Sequence, residues 1–71
     1  MRELTGDQLR EAFEERPEHV AGTLASALKD FGYSSLTTEY VQEEMQRLIA
    51  GGTPKGGPSM FLKGWLDEGI D

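Results

Sequence analysis

Residues 19–31 read HVAGTLASALKDF, and the spacing of their apolar side chains decides the fold class. Val20, Leu24, Ala27, Leu28 and Phe31 stand at i, i+4, i+7, i+8 and i+11. At about 100° per residue, this spacing puts all five on one face of an α-helix. Ala21 and Ala25 widen the stripe with side chains small enough to let a neighbouring helix come close. Gly32 follows where a left-handed C-cap is expected.

Upstream, Thr5 and Gln8 have the spacing of a capping box, with Leu4 and Leu9 placed as its hydrophobic staple. Leu9, Ala12 and Phe13 share a face, which predicts a helix over residues 6–15. Arg16-Pro17 breaks it, because the residue before proline is pushed out of the α region. Proline is also suited to the first position of a new helix, so the second helix is expected over residues 18–31.

Downstream, Leu36-Thr37-Thr38-Glu39-Tyr40-Val41 repeats the grammar of the first helix start: an apolar staple, a threonine cap, then an acid. Val41, Met45, Leu48 and Ile49 form the buried stripe of a third helix over residues 38–50. Glu43 and Arg47 have the favourable i, i+4 order of acid then base. Residues 51–58 read GGTPKGGP, four glycines and two prolines in eight positions, which predicts a flexible loop. Ser59 is placed to cap a last helix over residues 60–68, and Gly69 to end it, with Ile70 folding back on Trp65. Gly64 in its middle costs ~1 kcal/mol relative to alanine and marks a close approach to the 18–31 helix or to a partner.

No stretch alternates as a strand does. The expectation is an all-α bundle of three to four short helices forming a single domain over residues 1–71. Its expected core is Leu9, Phe13, Val20, Leu24, Leu28, Phe31, Val41, Met45, Leu48 and Trp65, with Leu62 beside them.

Composition limits the chemistry. The 71 residues contain no cysteine, which removes disulfides, zinc–thiolate sites and thiol catalysis and fits a cytoplasmic setting. No run approaches the ~20 apolar residues of a membrane span, and residues 1–6 lack the apolar centre of a secretory leader. Net charge is −6 and the seven basic residues are scattered singly, so neither nucleic acid nor an anionic membrane is an expected partner. The acidic residues lack metal-ligand spacing and read as a solvated surface. His19, the single histidine, has no nucleophile beside it in sequence. The glycine-rich loop is no phosphate loop: Gly57-Pro58 stands where lysine and a hydroxyl residue are needed. No catalytic, cofactor or metal constellation is expected, and the chain is not read as an enzyme.

Gly32-Tyr33-Ser34-Ser35-Leu36 resembles the Gly-x-Asp-Ser-Leu attachment motif of acyl and peptidyl carrier proteins. The resemblance implies that Ser35 carries phosphopantetheine, with Glu39, Glu43 and Glu44 on the helix that follows. Ser34 stands where that family has aspartate, and a helix runs directly into the motif where the family has a long loop.

The function expected first is a non-catalytic protein–protein interaction module or subunit whose partner is protein, self or other. It rests on the apolar load of the last helix, where Met60, Phe61 and Leu66 are the expected partner contacts. The carrier reading at Ser35 is the alternative, and an antitoxin-like or DNA-mimic role comes third.

Overall fold

The structure, a computed structural model, describes residues 4–70. Four α-helices follow one another: α1 Gly6–Glu15, α2 Pro17–Asp30, α3 Thr38–Ile49 and α4 Pro58–Glu68. Among the described residues there is no strand, and the extended pairing is a single antiparallel bridge between Leu4 and Ile70. α1 packs on α2 and α4, and α3 packs on α2 and α4, so the helices close a ring in chain order around one core.

The helix ends follow local hydrogen-bond chemistry. Thr5 Oγ1 accepts from the Gln8 N–H at 3.1 Å, and Gln8 Oε1 accepts from the Thr5 N–H at 3.0 Å, which completes the capping box. Thr37 Oγ1 accepts from the Tyr40 N–H at 3.1 Å. Arg16 alone separates α1 from α2, with Pro17 in the first turn of α2. Both α2 and α3 end in Schellman motifs. The Gly32 and Tyr33 N–H groups donate to the Lys29 and Leu28 carbonyls, and the Gly51 and Gly52 N–H groups donate to those of Leu48 and Arg47. Gly32 and Gly51 take the positive φ that these motifs need.

Four boundaries differ from the sequence expectation. α2 starts and ends one residue early, with Phe31 as its cap, and α3 stops at Ile49. α4 begins at Pro58 and is capped by Gly57, not by Ser59. Pro58 fills the N1 position, so Ser59 lies inside the first turn and turns its hydroxyl to another helix. At the other end the Ile70 backbone pairs with Leu4: its N–H donates to the Leu4 carbonyl at 2.7 Å and its carbonyl accepts from the Leu4 N–H at 2.9 Å, and Ile70 lines the same groove as Trp65.

The core holds Leu9, Phe13, Leu24, Leu28, Val41, Met45 and Leu48 as expected, together with Ala21, Ala25, Leu62 and Leu66. Four residues depart from the expectation. Phe31 is not in the core but exposed, Val20 and Trp65 are only partly buried, and Leu66, expected as a partner contact, is buried. The reason is helix rotation. Ala21, Leu24, Ala25 and Leu28 face inward on α2, so the small alanines stand at the contact and Val20, Ala27 and Phe31 fall on its flank, roughly 70–110° away. On α4 the inward face is Ser59, Leu62 and Leu66. Phe61 then lies roughly 140° round the helix, close to the opposite side.

Candidate interaction surface

The flank of α2 and the outward face of α4 meet at their side chains. The Phe31 ring stacks on the Phe61 ring with centroids 5.2 Å apart and planes 8° from parallel. Tyr33, held by the Schellman bond of its N–H to the Leu28 carbonyl, sets its ring edge against Phe61 at 6.0 Å. Trp65, one turn on from Phe61, lies 6.2 Å from it. Phe31 nevertheless remains 59% exposed, Met60 55% and Phe61 40%.

Magnitudes decide how to read this. An aromatic pair contributes ~0.5–1.5 kcal/mol beyond area burial. Full burial of one Phe or Met contributes ~1.5–3 kcal/mol. The stack therefore recovers less than the apolar area of three large side chains still facing solvent offers. Between the two helices lies a shallow groove lined by Ala27, Phe31, Phe61, Gly64, Trp65 and Glu68. A Cβ at Gly64 would meet nothing within 4 Å, so this glycine does not mark an approach of α2 but leaves a notch in the groove. The glycines that mark close approach between distant segments are Gly6, against the Leu66 carbonyl, and Gly69, against that of Leu4, while Gly52 lies against Arg47 within its own helix end.

Of the expected partner contacts, Met60 and Phe61 belong to this surface and Leu66 does not. Phe31 and Glu68 take part and were not expected. For Phe31 the signal was its position on the last turn, where a stripe can run past the core it belongs to.

A second cluster lies at the other side of α4. Glu44 is buried, contrary to the expectation that the acidic residues form a solvated surface. Its Oε1 accepts from Arg47 Nη2 at 2.7 Å and from Ser59 Oγ at 2.8 Å, and its Oε2 accepts from Arg47 Nε at 3.1 Å. Lys55 Nζ stands 3.7 Å from Oε2. Arg47 thus pairs with Glu44 and not with Glu43, because Glu44 lies in the buried stripe between Val41 and Met45. The Arg47 hydrogen bonds hold the Glu44 carboxyl down at about 2 against the opposing effect of burial, helped by the Ser59 hydroxyl and the charges of Arg47 and Lys55. A carboxylate so saturated and so acidic is a poor proton acceptor, and it joins α3 to α4 and to the loop between them.

This group gives a testable pH dependence. The folded value lies below the unfolded 4.5, so the contribution is complete above pH 4.5 and is lost as pH falls towards 2. Acid titration between about pH 5 and pH 2 is expected to remove about 2 kcal/mol more unfolding free energy from the native chain than from Glu44→Gln, measured by urea unfolding. Parallel pH profiles for the two would refute this role.

Ser35 is exposed in the turn between α2 and α3, two residues ahead of the Thr37 cap, and α2 leads into it through the Schellman turn. His19 is exposed in the first turn of α2, and its carbonyl accepts from the Thr23 hydroxyl. Among the described residues no three carboxylate or imidazole side chains converge, and no helix is long and apolar enough to cross a membrane. No protein-family model, no curated protein and no solved structure matches the chain.

Proposed function

We propose that the chain is a non-catalytic protein–protein interaction module that binds its partner through the aromatic face of α2 and α4. The observation that carries the reading is the joint exposure of Phe31, Met60 and Phe61 on one continuous surface. A contiguous apolar face of this kind on a small chain marks an interaction site, and Trp, Phe and Met are the residue types enriched at interface centres. The net charge of −6 disfavours nucleic acid as the partner, and the lack of cysteine suits a cytoplasmic setting.

The double variant Phe31→Ser with Phe61→Ser tests it. The two rings are half exposed but stack on each other, so the isolated chain is expected to lose about 2–4 kcal/mol and to stay folded, which circular dichroism checks before capture. Affinity capture from the source lysate is expected to lose the proteins that the native chain retains. A folded variant that captures the same set would overturn the proposal.

A further inference from the structure

We infer that the occupant of the groove between α2 and α4 is a basic amphipathic helix of another protein, with an apolar side chain over Gly64 and a lysine or arginine facing Glu68. The inference rests on the interaction reading above and adds to it the chemistry of the partner.

Charge placement carries it. Glu68 lines the groove, roughly 40° round α4 from Gly64 and 20° from Phe61. Asp30 is exposed on α2, roughly 60° from Ala27 on the side away from the core. Among the described residues, the nearby cations point elsewhere. Lys63 lies roughly 160° from Phe61 and is held by Asp67 at 2.8 and 2.9 Å. Lys29 lies roughly 160° from Phe31. Among the described residues Glu68 has no ion-pair partner. The groove is therefore apolar at its centre and anionic at its border, on a chain of net charge −6.

The same charges argue against a second copy. A second copy on this face would bring together two chains of net charge −6, each with Glu68 in the contact and no cation to meet it among the described groove-lining residues. A groove between two helices with a notch at Gly64 suits a helix presenting side chains at i, i+4 and i+7. Lysine or arginine beside that stripe supplies the charge complementarity that speeds and selects association.

Trp65 lines the groove and is the one tryptophan, so it reports occupancy directly. Three synthetic helices of about 18 residues, each with the same leucine stripe and no aromatic residue, carry lysine, glutamine or glutamate on their borders. The lysine peptide is expected to shift Trp65 emission saturably to shorter wavelength and the glutamate peptide to leave it unchanged. Glu68→Lys is expected to weaken the lysine peptide about tenfold, and Phe61→Ser to abolish its binding although every charge is retained.

Lysine and glutamine peptides that bind within about twofold of each other, or a Glu68→Lys variant that binds as the native chain does, would overturn the basic partner and leave the interaction surface standing. Dimerisation in light scattering that Phe61→Ser abolishes, with no peptide bound, would replace the helix by a second copy. No peptide bound by a chain that stays monomeric, together with a Phe31→Ser, Phe61→Ser variant that captures the native set of proteins, would overturn both readings.

Discussion

Leu62→Ala is expected to lower the unfolding free energy by about 2–5 kcal/mol. Leu62 is fully buried on the inward face of α4, between Ser59 and Leu66. Its removal leaves a cavity where α4 meets α1 and α3, the two helices on which it packs. A chain of this length has a total stability of roughly 4–10 kcal/mol, so the loss is a large share of the whole. Urea unfolding followed by circular dichroism measures it. A loss below about 1 kcal/mol would mean that α4 docks loosely and that its outward face, not its inward one, dominates its role.

Gly6→Ala is expected to cost about 3 kcal/mol, and the sign of the change is the test. On an open helix this substitution stabilises, by up to ~1 kcal/mol, because alanine is the better helix former. Here a Cβ would overlap the Leu66 carbonyl oxygen and crowd its carbon, both of them backbone atoms. Neither can swing aside as a long side chain does, so α1 and α4 must separate. That separation loosens Leu9 and Phe13 on one helix and Leu66 on the other. Gly64→Ala is the internal comparison: its Cβ meets nothing within 4 Å, so only the favourable propensity term remains. Thermal unfolding of the two variants should move in opposite directions. A gain in stability for Gly6→Ala would show that the contact between α1 and α4 has room to spare.

The parts of the candidate surface were unequally legible. Met60 and Phe61 could be singled out because a short helix with more large apolar side chains than one face can bury must leave some outside. Which ones stay outside was not legible. The apolar load of the helix groups Leu66 with them, but Leu66 shares the inward side with Leu62 at i, i+4. Phe31 reads as core because it continues the spacing of Val20, Leu24 and Ala27. Its exposure follows from the alanines: the buried face of α2 is centred on Ala21 and Ala25, where small side chains allow close approach, and not on the larger residues beside them. The Glu44 cluster did leave a trace, since an acid stands inside the stripe Val41, Met45 and Leu48 with Arg47 three residues on. Its second partner, Ser59, lies 15 residues away and leaves none.

The sequence by itself determined the helical segments, their order and their ends to within one or two residues. Those features rest on interactions between residues at most five apart: the Thr5–Gln8 box, the Thr37 cap, the Arg16-Pro17 break, and the Schellman turns at Gly32 and Gly51. The tertiary structure alone decided how far each helix is rotated about its axis. That choice turned Leu66 inward and Phe31 outward, and it set Glu68 at the groove. Rotation is settled by contacts between distant segments: Gly6 under the Leu66 carbonyl, Ile70 paired with Leu4, Ser59 bound to Glu44. Periodicity along one helix marks an apolar stripe, but several rotations bury most of it, and the close-packed fit against the other helices selects among them.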